Sequence, residues 1–147
     1  MKLLHTLIMM FIGSFLIQYY LMPSIMVNDI KYITNNLGKA YMGVIMGIYM
    51  LLIETAMHDH QYSIISYKFY AFYAATLALF IYLYRKQIGV NDKQYLEGMI
   101  EHHSMAILTS EEIVKKTNDY NVAKIAKDII QKQTDELAEM KAILDKL

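Results

Sequence analysis

Leu3 to Val27 contains no Asp, Glu, Lys or Arg. At about 1.5 Å of rise per residue, such a run crosses a hydrocarbon core of roughly 30 Å with some tilt. A polar stretch, Asn28 to Lys39, with Asn35-Asn36 and Gly38 as turn formers, separates it from Tyr41 to Ala56, which is apolar except for Glu54. Met57-His58-Asp59-His60-Gln61 reads as a short connection. A third apolar block, Phe69 to Tyr84, lies between Lys68 and Arg85. It is a little short for a crossing, so both cations and the tyrosines are expected to snorkel to the interfaces. The pattern predicts three transmembrane helices at about residues 3–27, 41–57 and 66–85, so that residues 1–88 form an anchor. The first block is longer than a signal-peptide core and lacks a small-x-small site ahead of the polar stretch, so it is expected to remain as a span.

The period changes after Gly89. Asn91, followed three residues later by Gln94, fits a capping box. Leu96, Met99, Ile100, His103, Ala106, Ile107, Ser110, Ile113 and Val114 then recur at three and four, one face of a helix reaching about Lys116. Thr117 to Asn121 is a turn rich in Asn and Asp. The same spacing returns in Val122, Ile125, Ala126, Ile129, Gln133, Leu137, Met140, Leu144 and Leu147. Residues 89–147 are therefore expected to be an antiparallel helical hairpin, and the whole chain all-α. Folding about Asn118 sets position 103 level with about 133, position 99 with about 137 and position 96 with about 140. His103 and Gln133, the polar interruptions of the two stripes, then face each other, with Glu136 and Met140 one and two turns toward the anchor end. One polar layer in an apolar seam is either a registry device or a ligand site.

Charge sharpens this division. Of the 28 acidic and basic residues, 21 lie from Arg85 onward, ten basic against eleven acidic. The tail is water-facing yet carries no basic field, so a nucleic-acid partner is not expected. Lys31, Lys39, Arg85, Lys86 and Lys93 flank the spans on the tail's side, against Lys2 and Lys68 on the other, which favours a cytosolic tail. There is no cysteine, so thiolate metal sites, disulfides and cysteine nucleophiles are excluded. Twelve methionines and five histidines are the remaining soft or borderline ligands.

Those ligands converge on two segments, Met99-Ile100-Glu101-His102-His103-Ser104-Met105-Ala106-Ile107 and Gln133-Thr134-Asp135-Glu136-Leu137-Ala138-Glu139-Met140. Imidazole with thioether suits Cu(I), and a carboxylate such as Glu136 lets zinc or Cu(II) compete. A buried histidine with a hydrogen-bonding neighbour is the ordinary alternative. Met42, Met46 and Met50 continue at four-residue spacing to Glu54 and His58, a stripe that reads first as packing or lipid-facing methionine and second as an ion path. His58-Asp59-His60 supplies too few fixed ligands for tight binding from a loop. No enzyme pattern is present: the residues three before His102 and His103 are Met99 and Ile100, not the Glu a di-iron helix needs, and there is no His-Glu-x-x-His, nucleophile elbow or phosphate loop.

The double segment resembles the family called domain of unknown function 305, whose members carry Met-Ile-x-His-His-x-x-Ala-Ile followed by Gln-x-x-Glu-[Ile/Leu]-x-x-Met. Tyr41-Met42 at the second span and Gly89 to Gln94 before the hairpin are similar to a membrane-bound, three-span branch of it. The resemblance implies a ferritin-like helical fold and an association with copper rather than an enzymatic activity. Glu101 stands where many members have proline. Many members also contain two hairpins that make a four-helix bundle; this chain has one, too small to bury its stripe well, so two copies are expected to pair through their tails. The expected metal ligands are His102, His103, Met99 and Met140, with Gln133 and Glu136 as orienting or auxiliary groups. The competing expectation is a structural membrane protein whose His103 and Gln133 layer fixes register and whose tail only oligomerises.

Overall fold

The computed structural model describes residues 3–147, and every regular element among them is helical. In chain order these are α1 (Leu3–Leu16), a π-turn (Ile17–Leu21), α2 (Met22–Met26), a 3-10 turn (Ile30–Tyr32), α3 (Leu37–Tyr62), α4 (Tyr67–Arg85), α5 (Asp92–Val114) and α6 (Tyr120–Leu144). The π-turn lies within the turn before Pro23, the second residue of α2, which cannot donate the amide hydrogen bond that would continue an α-helix and whose ring crowds the preceding turn. Two compact units result. One holds α1 with the π-turn, α3 and α4; the other joins residues 22–36 to residues 90–147.

In the first unit, α1 lies against α3 through a notch. Gly43 and Gly47, one turn apart, receive the rings of Phe15 and Phe11. A Cβ built at Gly43 would sit 2.9 Å from Phe15 Cδ2, and one at Gly47 2.6 Å from Phe11 Cδ2. Small residues at this spacing let helices approach where hydrophobic burial gives little drive. Next, α3 meets α4 through Thr55 and Tyr73, both buried, whose hydroxyls lie 3.0 Å apart. Tyr41 donates its hydroxyl to the carbonyl of Ile88 at 2.7 Å.

The helix α3 begins earlier and ends later than its hydrophobic block. Asp59 explains the late end. Its buried carboxylate accepts the Ser66 amide at 2.6 Å and the Ser66 hydroxyl at 2.7 Å, fastening the end of α3 to the start of α4. Between them Ser63 takes a positive φ of 52°, and the Ile64 amide donates back to the Asp59 carbonyl at 3.0 Å, closing the helix end. His58, Asp59 and His60 therefore belong to the last turns of α3 and not to a connecting loop. Two positions apart on a helix, His58 and His60 do not face one another.

Two helical stretches, Leu3–Met26 and Leu37–Tyr62, are long and apolar enough to cross a membrane. The third expected span forms as α4, but its 19 residues include five tyrosines with Lys68 and Arg85, and it falls short of the same standard. Lys2, which entered the orientation argument, lies outside the described residues.

The second unit is the expected hairpin with an addition. Asn91 Oδ1 accepts the Gln94 amide at 2.9 Å at the start of α5, and Asp119 Oδ1 accepts the Asn121 and Val122 amides at 2.7 and 3.0 Å at the start of α6. Residues 22–36 are no mere connection: they form a strap along one side of the hairpin. The fully buried Ser104 hydroxyl donates to Asn28 Oδ1 at 2.7 Å and accepts the Asn28 amide at 3.0 Å. The buried Glu101 carboxylate accepts the Thr34 amide at 2.9 Å, and the Thr34 hydroxyl donates to the Glu97 carbonyl at 2.8 Å. Lys141 of α6 places its ammonium 4.1 Å from the centre of the Tyr32 ring, so the strap touches both helices.

Gly47→Ala tests the notch. Its methyl would invade the Phe11 ring, and the expected loss is about 1–3 kcal/mol of stability in detergent, with recovery in the Gly47→Ala/Phe11→Ala pair. Thermal unfolding followed by circular dichroism reads both, and an unchanged midpoint in the single variant would contradict this packing.

Candidate metal centre

The two ligand-bearing segments lie in the middle of α5 and in the second half of α6. His103 is held at both ring nitrogens. Its Nδ1 lies 2.8 Å from the Met99 carbonyl oxygen one turn back, an atom that only accepts, so Nδ1 carries a proton. Its Nε2 lies 2.9 Å from Glu136 Oε2 across the hairpin. Gln133 Nε2 donates to that same carboxylate oxygen at 3.4 Å. The His103 side chain is 10% exposed and that of Glu136 54%, so a buried imidazole is lidded by a carboxylate standing at the surface.

The partner of His103 is thus Glu136 and not Gln133, and the register differs from the expected one by nearly a turn. Helical Cα–Cβ bonds tilt toward the N-terminus of their own helix. In an antiparallel pair these tilts point opposite ways, so side chains that touch come from positions farther along the second helix than backbone levels suggest. The long Glu136 side chain adds to this reach. On helical spacing, the 103–136 pairing carried one turn along each helix puts position 99 of α5 beside position 140 of α6, both methionines. Both thioethers are half-buried. Spacing thus assigns the thioethers of Met99 and Met140 to the layer next to the His103–Glu136 pair.

His102 is exposed. Its ring stands edge-on to that of His103, with the centres 6.4 Å and the planes 67° apart. Among the described residues, no three His, Asp or Glu side chains gather as a metal-holding group. Glu101 and Ser104, although inside the motif, face the strap. Sequence reasoning marked Glu101 only as a departure from proline. Ser104 carried no signal of its own, because a serine three positions from Glu101 looks like a solvated face until residues 28–34 are seen to cover it.

These coordinates of chemistry sit on a chain with recognisable relatives. Residues 82–144 match the family described as domain of unknown function (DUF305). The chain is also 34% identical over 139 residues to uncharacterized protein L153 of Acanthamoeba polyphaga mimivirus, an alignment covering 95% of this chain and 91% of that protein. The chain belongs to the DUF305 family. No solved structure matches it. Within this DUF305 chain the matched region takes in both ligand-bearing segments and leaves out most of the first unit.

Chemically, the arrangement resembles that of a ligating histidine whose far nitrogen is fixed by a backbone carbonyl, which sets the tautomer and the ring orientation. Nε2 faces Glu136 Oε2 at 2.9 Å, a hydrogen bond that needs a proton between the two atoms. The donor set suits a soft or borderline cation that replaces the shared proton, with Glu136 able to withdraw into solvent to admit it.

Nitrogen-15 NMR of the protein labelled at histidine checks the tautomer. His103 Nδ1 is expected to be protonated and to couple to the Met99 carbonyl; a neutral His103 with its lone pair on Nδ1 contradicts the geometry.

Proposed function

We propose that this protein is a membrane-anchored holder of copper, with Cu(I) favoured and zinc as a competitor, and that it sequesters, buffers or passes on the ion. The single observation carrying this reading is His103, fixed through Nδ1 and facing an exposed Glu136 through Nε2; helical spacing adds Met99 and Met140 one turn away as candidate soft donors. In this reading His103 is the core ligand, Met99 and Met140 are the soft ligands, Glu136 is an exchangeable oxygen ligand, and Gln133 orients Glu136. His102 is a flanking group on the surface. The family motif points to the same metal by resemblance. The anchor consists of the two apolar helices together with α4 as a third, shorter crossing whose Lys68, Arg85 and tyrosines lie at the interfaces, and the tail is cytosolic. Two tails pair to make a ferritin-like four-helix bundle.

A second reading rests on a specific observation: both nitrogens of His103 already have partners inside the protein. A satisfied polar layer of this kind also fixes helix register, and on that reading the tail only oligomerises.

Metal analysis of full-length protein purified under reducing conditions with copper supplied separates the two. Stoichiometric copper is expected, lost in His102→Ala/His103→Ala. Met99→Leu/Met140→Leu, which keeps volume and leaves the His103 hydrogen bonds in place, is expected to weaken Cu(I) binding by about tenfold or more with little change in stability. Copper content that survives both pairs of substitutions overturns the copper reading and leaves the register role.

A further inference from the structure

The turn between α3 and α4 spends its polar groups on itself. Asp59 takes the amide and the hydroxyl of Ser66, the Ile64 amide returns to the Asp59 carbonyl, and Ser63 holds a positive φ of 52°. What this fastened backbone shows outward is mostly apolar. Tyr62 is 60% exposed, Ile64 48%, Ile65 62% and Tyr67 72%. From His60 to Tyr67 there is no Asp, Glu, Lys or Arg. A turn that stands in water is ordinarily built from Gly, Asn, Asp, Ser or Pro, because nothing there covers a large side chain. Large apolar residues exposed singly need no explanation, but two isoleucines and two tyrosines within one short turn do.

Resting on the reading of α3 and α4 as membrane-crossing helices, we infer that this turn is seated in the lipid of the same bilayer, at the boundary between headgroups and acyl chains. Two observations choose lipid over a protein partner. The first is continuity. Met57 at the end of α3 is 59% exposed, and Phe69 and Phe72 at the start of α4 are 40% and 62% exposed, so the surface that meets lipid along the helices runs on to the turn from both sides. The second is composition. The tyrosine hydroxyls and the exposed Lys68 ammonium on its long stem suit the headgroup level, and Ile64 and Ile65 suit the acyl boundary beneath it. The seated turn also has a use: α4, at 19 residues, is short for a crossing, and the two isoleucines extend its apolar length at this end.

The chain has no cysteine, so one introduced cysteine takes one label. Full-length Ile65→Cys carrying the fluorophore NBD is reconstituted into phosphatidylcholine–phosphatidylglycerol vesicles. Ile53→Cys, on the exposed side of α3, reports the span, and Lys127→Cys, exposed on α6, reports water. With iodide on both sides of the vesicles, quenching at Ile65 is expected to be about threefold or more weaker than at Lys127, and a nitroxide placed high on the lipid acyl chain is expected to quench it strongly. A label at Ile65 as open to iodide as that at Lys127, with Ile53 quenched by lipid, overturns the seated turn and leaves the spans intact. A label at Ile65 shielded from iodide and nitroxide lipid alike marks a protein contact and also overturns it. Iodide access at Ile53 sinks the membrane reading and the turn with it.

Discussion

The contact between His103 and Glu136 organises the tail. A buried imidazole has two nitrogens to satisfy, and leaving either bare in an apolar seam costs more than the hydrogen bond itself returns. One is satisfied locally by the carbonyl of Met99, four residues back. The other reaches across to α6, and that reach decides which turn of α6 lies beside which turn of α5. Apolar stripes alone tolerate sliding by a turn, since Ile, Leu and Met present similar surfaces at each level. The polar pair removes that freedom.

A second polar commitment lies on the other side of α5. Glu97, Glu101 and Ser104 engage residues 28–34, so successive turns of α5 are pinned to the strap while His103 between them meets α6. These buried polar groups have partners, and their orientation is therefore specified rather than merely tolerated. With the strap on one side and α6 on another, only one long side of α5 stays open, and it is the side that carries His102.

Much of this was legible in the chain. The anchor helices were signalled by their uncharged length and α5 and α6 by their hydrophobic period; Asn91 caps α5 as read, although Gln94 Oε1 does not complete the capping box, and the turn after α5 fell where Asn and Asp cluster. The double motif located the pair that meets. What was not legible depended on three-dimensional reach. The register missed by nearly a turn because backbone levels ignore the opposing tilts of side chains on antiparallel helices. The strap was read as a linker because Asn28, Thr34 and Asn36 look like turn residues until Ser104, Glu101 and Gly98 are seen beneath them. His58 to His60 looked like a loop because polarity was taken as the end of the helix, while Asp59 in fact holds the helix end to Ser66. The notch formed by Gly43 and Gly47 lies in the sequence at the spacing that close helix contacts use, but spacing alone does not name Phe15 and Phe11 as the rings that fill it.

The central claim is that nitrogen, oxygen and sulfur donors from α5 and α6 share one ion. X-ray absorption at the copper edge of the reduced, copper-loaded, full-length protein measures this most directly. The account predicts imidazole nitrogen and thioether sulfur scatterers together in the nearest shell, with the sulfur signal lost in Met99→Leu/Met140→Leu. A nearest shell of nitrogen and oxygen alone, unchanged by that double substitution, would contradict it.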